Sequence, residues 1–276
     1  HEDIVATTKR HPSRTRIRAG VDRDGTLKAL AIDFDLDGGA FLGLSPVVLS
    51  RGVLHATGAY RVGATAVRGR VLRTNTPPTG AFRGFGAPQS LFAVERHMDR
   101  IARVLGLDPL TLRRRNALRE GDRLPTGQIL DDSTAAEAVL ERVAEKTDFL
   151  RRWQKNEAAR AAAGDDGAPL SGLGLSLYYH GAGFTGLGEH RMRSPVKARL
   201  TKEGRLRLLT AATEMGQGAH STLSLIAAES AGLRLSDVEM AEPDTAEVPD
   251  SGPTVASRTS MIVGGAVSRL AVLLCR

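Results

Sequence analysis

Residues 79–89, TGAFRGFGAPQ, combine an arginine, two aromatic side chains and three glycines in one short stretch. Arg83 carries a planar, permanently charged guanidinium that suits anionic or carbonyl oxygens. Pro88 and the apolar spacing after it predict that a helix begins here, so the loop would present backbone N–H groups at a helix N-terminus, where oxyanions bind. The alternative is a tight, glycine-rich connection in which Arg83 pairs with a nearby carboxylate.

The second half of the chain contains two more polar segments of this kind. EMGQG at 214–218 is a polar turn bracketed by glycine, and residues 244–259 form a long polar loop that ends in PTVASRT. Gln217 could contact a ligand or simply cap the helix that follows. Each half therefore presents a hairpin, a glycine-rich polar loop and a helix, which favours a fold of the α+β class with two domains.

The composition is that of an ordinary globular protein. The chain has 276 residues, of which 41% are hydrophobic and 25% charged, enough for one large or two ordinary domains. No apolar run approaches the roughly 18 residues of a membrane span, and no leader is visible, so we predict no membrane association and a cytoplasmic location. The single cysteine, Cys275, excludes disulfides and cysteine-ligated clusters within this chain.

The net charge of +7 raises the possibility of a nucleic-acid partner. The basic residues are mostly arginines spread along the sequence, and aromatic residues make up 4% of the chain, too few for base-stacking platforms. We therefore predict no nucleic-acid binding and keep a basic nucleic-acid-associated protein as the alternative outside enzymes. No histidine spacing typical of metal sites occurs, so no protein-ligated metal is predicted.

Several elements must position these loops. Alternating residues around Asp22–Gly25 predict a hairpin that ends at Asp37-Gly38-Gly39, and Asp132-Ser133 is a predicted N-cap. Low-complexity residues predict a linker between two domains. The predicted domains are 1–156 and 171–276, with the linker at 157–170. The remaining predicted elements are strands at 65–72, 196–200, 205–210 and 238–240 and helices at 88–105, 135–146 and 219–231.

Three segments together resemble a known family. AFRGFGAPQ at 81–89, EMGQG at 214–218 and PTVASRT at 253–259 occur in the order found in the molybdenum hydroxylases. The chain resembles the molybdopterin-binding large subunit of this xanthine dehydrogenase and aldehyde oxidase family over nearly its whole length. The resemblance implies two molybdopterin-binding domains, each with antiparallel hairpins and packed helices.

The resemblance also implies which residues contact the cofactor. Arg83 matches an arginine near the molybdenum end, and the segment that contains Gln217 looks like the one that hydrogen-bonds the pterin and dithiolene region. The later loop resembles a second pterin contact, with a threonine where the family often has serine. The implied cofactor-binding residues are Arg83, Met215, Gly216, Gln217, Ala256, Ser257 and Thr259.

Four residues are implied to contact the substrate. Arg51, in LSRGVLH, matches an arginine that xanthine-oxidising members place over the substrate, where it would stabilise negative charge in the transition state. Phe85 matches a stacking aromatic, and Tyr178 and Phe184 are both candidates for a second one. Arg51 could instead be an ordinary surface residue of a helix, and Phe85 could belong to the core.

The resemblance implies hydroxylation of a purine-like N-heterocycle by a molybdenum-bound hydroxide, with hydride transfer to the metal centre. Electrons would pass to 2Fe-2S clusters and FAD on other domains or subunits of an oligomer. The family's glutamate base lies in a VGE-like motif expected after position 276, so we expect an internal fragment that is inactive alone. Glu189, in GLGEH, precedes EMGQG and is interpreted as an exposed loop residue. The alternatives are a hydroxylase of aldehydes or another N-heterocycle, and a truncated product.

Overall fold

The computed structural model describes residues 1–162, 171–185 and 188–275. The chain divides into two compact units, His1–His180 and Gly181–Arg276. The predicted linker begins inside a helix, because residues 157–162 belong to helix α6, and its remainder lies outside the described residues. The predicted boundaries of the domains stay a prediction.

The first unit is built on a three-stranded sheet in the order β1-β2-β3. Strands β1 (Ser13–Val21) and β2 (Leu27–Gly39) form the predicted antiparallel hairpin, and β3 (Ala64–Arg73) runs parallel to β2. Strand β2 ends at Gly39, within the predicted break at Asp37-Gly38-Gly39, and its register with β3 shifts between Asp37 and Gly39. A Cβ atom at Gly38 or Gly39 would collide with Val71 or Pro77, so these glycines permit close packing within the sheet.

Six helices complete the first unit in its described part. Helix α2 lies in the connection between β2 and β3, as parallel pairing requires. Helix α3 confirms the predicted amphipathic pattern, because Leu91, Val94 and Met98 are buried. The helices are α1 (Glu2–Ala6), α2 (Ser45–Leu54), α3 (Ala87–Leu105), α4 (Pro109–Asn116), α5 (Ala136–Thr147) and α6 (Phe149–Ala162).

The start of helix α5 differs from the prediction. Its N-cap position is Ala135, so Asp132-Ser133 does not cap it. Ser133 instead directs its backbone N–H and its hydroxyl to the Asp131 carboxylate, at 3.1 and 2.6 Å. A short polar side chain that bonds within its own turn stabilises the turn and not the next helix.

The second unit has the same sheet plan in smaller form. Strands β4 (Lys197–Leu200) and β5 (Leu206–Leu209) are antiparallel, and β6 (Val238–Met240) is parallel to β5. Its helices are α7 (Gly188–Arg191), α8 (Ala219–Ala231) and α9 (Gly264–Leu274), the last preceded by one π-helical turn at Thr259–Val263. The second predicted hairpin and the helix after EMGQG are confirmed. No helix in the described part of the chain has the length and apolar character needed to cross a bilayer.

Candidate functional site

A pocket in the second unit lies between two loops that the sequence singled out. Its volume is about 370 Å³, and loop 213–218 and loop 253–260 form most of its wall. The space where Gly216 would carry a Cβ atom is open, so the loop is accessible at that position. Five of the predicted cofactor-binding residues line this pocket: Met215, Gln217, Ala256, Ser257 and Thr259.

Glu214 holds the first loop of this pocket in shape. Its carboxylate accepts hydrogen bonds from the backbone N–H groups of Gly216, Gly218 and His220, at 2.8, 3.0 and 3.1 Å. These bonds lower the pKa of Glu214, because they favour its charged form. Glu214 therefore caps the start of α8 through the N–H groups of Gly218 and His220, a role that the sequence analysis had offered as an alternative for Gln217.

Gln217 binds its own loop. Its side-chain amide accepts the N–H of Met215 at 2.7 Å and donates to the carbonyl of Thr213 at 2.7 Å. The N–H of Thr213 in turn donates to the hydroxyl of Thr254 at 2.9 Å. This chain of bonds joins the two loops that form the pocket.

The second loop contains a rare backbone conformation at the pocket wall. Ala256 and Ser257 both have a φ of 57°, in the left-handed region that residues with a Cβ atom seldom adopt. The carbonyl of Ala256 accepts the N–H of Gly183 at 2.8 Å, which helps to hold this turn. Such backbone strain is typical of binding sites, where the surrounding structure enforces it.

Arg258 anchors the second loop from beneath, and the sequence analysis passed over it. Its side chain is completely buried, pairs with Glu189 at 3.2 Å and donates to the carbonyl of Ser251 at 3.0 Å. It also bonds the Ser194 hydroxyl. The interpretation of Glu189 as an exposed loop residue is wrong, because its carboxylate is the partner of a buried guanidinium and also accepts the N–H of Phe184 at 2.9 Å.

Glu189 should make the second unit sensitive to acid. Burial disfavours its charged form, but the hydrogen bonds from Arg258 and Phe184 outweigh burial and lower its pKa. Because the pKa of Glu189 is lower in the folded protein, its ionised form stabilises the fold at a pH above the unfolded-state pKa of about 4.3. This contribution is lost as the pH falls through the pKa of the folded state. We expect Glu189→Gln to lower the melting temperature at pH 7 and much less near pH 3, as thermal unfolding across this range would measure. Glu229→Gln, on the exposed face of α8, is the control; an equal loss at both pH values would contradict the expectation.

In the first unit, the arginine–phenylalanine loop adopts a tight left-handed path. Gly84, Phe85 and Gly86 have φ values of 88°, 56° and 97°. A Cβ atom at Gly86 would overlap the carbonyl oxygen of Val48 on helix α2, so glycine is required there. Phe85 is partly buried and packs against the cluster that contains Phe34. One side of the Phe85 ring is therefore covered by core.

Arg10 braces this loop and leaves the side chain of Arg83 exposed. Arg10 donates to the carbonyl of Arg83 at 2.6 Å, and its guanidinium lies 4.6 Å from the centre of the Phe82 ring. Arg83 makes no ion pair among the residues that the structure describes. The expected alternative, a structural pair between Arg83 and a carboxylate, therefore finds no support in this part of the chain.

Arg51 is buried on helix α2, with only 3% of its surface exposed, so it is not a surface residue. The Nδ1 atom of His55 lies 2.8 Å from the carbonyl oxygen of Arg51. The His55 ring stacks on Tyr179 at 4.9 Å and lies 5.5 Å from the ring of His180. Burial lowers the pKa of both histidines, and the charge of Arg51 lowers it further; for His55 the hydrogen bond with the backbone carbonyl of Arg51 partly opposes this. Tyr178, by contrast, is 65% exposed.

A buried ionic network holds the segment that carries these aromatic residues. Arg113 is fully buried and contacts Glu95 and Asp99, each at 2.9 Å. Glu95 also accepts the Tyr60 hydroxyl and, at 3.0 Å, the N–H of Leu177. Because Leu177 directly precedes Tyr178, the network fixes the segment beside Arg51.

Comparison with known families accounts for most of the chain. One model of a molybdopterin cofactor-binding domain matches residues 1–117, and a second matches residues 142–275.

The chain belongs to the molybdenum hydroxylase family.

The similar proteins are named for different substrates. The "Xanthine dehydrogenase molybdenum-binding subunit" of Escherichia coli O157:H7 is 32% identical over 275 residues, which are 99% of this chain and 35% of that protein. The solved aldehyde oxidoreductase from Desulfovibrio gigas is 29% identical with a TM-score of 0.83, over 98% of this chain and 29% of that one. Quinoline 2-oxidoreductase from Pseudomonas putida 86 is 28% identical with the same TM-score, over 99% and 36%. The chain spans about a third of the length of these relatives.

The polar groups that line the pocket of the second unit are of the kind that can hydrogen-bond a molybdopterin. Its polar lining consists of hydroxyls and an amide, with no charged side chain among the described residues: Thr222, Thr254, Ser257, Thr259, Ser260 and Gln217. A pterin carries many neutral hydrogen-bond donors and acceptors, and hydroxyls can supply either role. A volume of about 370 Å³ lies in the range of small-molecule sites, which suits part of a molybdopterin.

Proposed function

We propose that this chain forms part of the cofactor and substrate sites of an enzyme that hydroxylates a purine-like N-heterocycle. The main support for the cofactor contacts is the second-unit pocket, because five independently proposed residues line it. The support for the substrate class is Arg51, a buried arginine on α2. Each unit contributes its own contacts.

When bound, the cofactor supplies the redox chemistry that oxidises a substrate carbon by two electrons. The role of Ser257 and Thr259 is to hydrogen-bond the pterin, and the strained turn at Ala256 presents backbone groups to it. Met215 lines the same pocket, Gln217 holds its loop in place, and Gly216 is a further proposed contact in that loop. Arg83 is the proposed contact for the molybdenum end of the cofactor. These residues bind and orient the cofactor and take no proton from it.

Arg51 then acts on the substrate. A guanidinium in a buried, low-dielectric position interacts strongly with negative charge that develops on a heterocyclic ring. The lowered pKa values of His55 and His180 keep both rings neutral at pH 7, so Arg51 is the positive charge of this cluster. Phe85 is the proposed face against which a flat ring packs, and Tyr178 and Phe184 stay the two candidates for a second face.

Electrons leave through groups that this chain does not carry. We propose 2Fe-2S clusters and FAD on other domains or subunits, since Cys275 alone cannot ligate a cluster. An oligomeric assembly and a cytoplasmic location stay predictions.

The second candidate function is hydroxylation of an aldehyde or another N-heterocycle. Solved relatives named aldehyde oxidoreductase and quinoline 2-oxidoreductase favour it, because both match the chain with a TM-score of 0.83. We favour a purine-like substrate over an aldehyde because the buried Arg51 would stabilise negative charge on a heterocyclic ring. Oxidation of an aldehyde group develops no such ring charge. The comparison of the two substrate classes in Arg51 variants separates these functions.

Removing two pocket hydroxyls should weaken retention of the cofactor. We expect the double variant Ser257→Ala, Thr259→Val to bind molybdopterin about thirtyfold more weakly, since each of the two lost hydrogen bonds contributes about 1 kcal/mol. The molybdenum and pterin content of protein purified from a cofactor-producing host would measure this. Ser236→Ala, on the exposed turn before β6, is the control. If the double variant keeps full cofactor content after dialysis, the proposed pocket is not the cofactor site.

A further inference from the structure

The first strand of the first unit has an unpaired edge beside a groove. Strand β1 is at the edge of its sheet, and no hydrogen bond leaves its outer side within the described residues. A groove of about 840 Å³ runs between Thr15 and Ile17 of β1 and the neighbouring face of helix α3. The Nε2 atom of His97, in the wall of this groove, is buried without a hydrogen-bond partner among the described residues. An open strand edge next to a helix is a geometry that accepts an added strand.

Two rows of arginine flank this edge. Three alternate residues of β1 point away from the core and expose guanidinium groups, and helix α3 presents a second row of arginines at helical spacing on the groove side, where Asp99 also lines the groove. None of these arginines makes an ion pair within 4 Å in the part of the chain that the structure describes. The rows are Arg14, Arg16 and Arg18 on β1, and Arg96, Arg100 and Arg103 on α3.

Arginines on strand β3 of the same sheet, in contrast, form ion pairs with the central strand. Arg68 on β3 pairs with Asp33 at 2.8 Å, and Arg70 pairs with Asp35 at 2.8 Å. The aspartates of the central strand thus form their close pairs with β3. Arg14 and Arg16 lie opposite Asp35 and Asp33 across the β1–β2 ladder, but no carboxylate among the described residues comes within 4 Å of the β1 row. Charges along an exposed edge oppose pairing with a like-charged strand and favour a strand of opposite charge.

We propose that an extended acidic segment of a partner protein adds to the outer edge of β1 as a further strand, in the groove against α3. Its backbone continues the ladder of the sheet, and its carboxylates alternate between the two arginine rows because side chains of a strand alternate between faces. This inference is independent of the proposed catalytic function.

The geometry favours a protein segment over other polyanions. The β1 row and the α3 row lie on opposite faces of the sheet, so a flat membrane surface cannot contact both. Within the described residues, no phenylalanine, tyrosine or tryptophan lines the groove, so a nucleic acid would find no stacking surface there. An extended peptide reaches both rows and also satisfies the open backbone groups of β1.

The test uses a labelled peptide in which glutamate and threonine alternate over ten residues, with binding to the whole chain measured by fluorescence anisotropy. We expect saturable binding that weakens as salt screens the charges. Methylation of alternate backbone nitrogens on one edge of the peptide should weaken binding at least about tenfold, because it removes ladder hydrogen bonds and leaves every carboxylate in place. This comparison requires no change in the protein.

Protein variants test the charge rows separately. Arg16→Glu with Arg100→Glu should weaken binding at least about tenfold, because both rows lose attraction. Arg142→Glu with Arg152→Glu, on helices α5 and α6, makes the same change in net charge at exposed residues that do not line the groove and should leave binding intact. Arg16→Gln with Arg100→Gln replaces the first pair if the reversal impairs folding. The proposal is overturned if the methylated peptide binds equally well, if both charge-reversal variants bind alike, if no peptide binds at about 1 mM, or if a thymidine decamer binds more tightly.

Discussion

Replacing Arg51 with methionine is expected to lower the rate of purine hydroxylation by about 10²- to 10³-fold in an assembled enzyme that contains this chain. This is the typical effect of removing one preorganised group that stabilises developing charge. Methionine keeps much of the length and apolar volume of the buried side chain, so the fold should persist. Steady-state rates with xanthine and with an aromatic aldehyde, measured on the same preparation, check this expectation.

The two substrates distinguish the proposed function from its rival. Oxidation of the aldehyde should change by less than about threefold, because that reaction places no negative charge on a heterocyclic ring. Arg73→Met, at the exposed end of β3, is the matched control and should alter neither rate. If xanthine and the aldehyde lose the same factor in the Arg51 variant, the assignment to purines is wrong.

Replacing Arg113 with methionine should cost the first unit about 3–5 kcal/mol in the free energy of unfolding. The side chain has no exposed surface and pairs with Glu95 and Asp99, so its removal leaves the buried carboxylate of Glu95 without its positively charged partner. Burial already raises the pKa of Glu95 and opposes its charged form. Urea unfolding followed by circular dichroism would measure the loss.

A neighbouring arginine provides the control. Arg114→Met removes the ion pair with Glu141, which is about two-fifths exposed, and should cost less than about 1 kcal/mol. Adding Glu95→Leu to Arg113→Met should recover part of the lost stability, because the unpaired carboxylate is then gone. Equal losses in the Arg113 and Arg114 variants would show that the buried network contributes no more than a surface pair.

Local elements were predictable where one pattern determined them. Helix α3 follows from apolar residues at helical spacing after Pro88, and the hairpin of β1 and β2 follows from alternation around a turn that contains Asp24-Gly25. The glycine-rich loops were also visible, because Gly84 and Gly86 must adopt left-handed backbone angles. The end of β2 at Asp37-Gly38-Gly39 was visible too, but the sequence did not show that these glycines also permit close packing.

The sequence by itself determined the motifs, their order and therefore the family. It could not reveal the partners of Arg113 and Arg258, because an ion pair joins residues that are distant along the chain. Nor could it show that six scattered arginines form two rows at the edge of β1, since distance along the sequence does not report distance in space. Only the tertiary structure made these assignments: chain folding brings the charges together, and burial sets how strongly they interact.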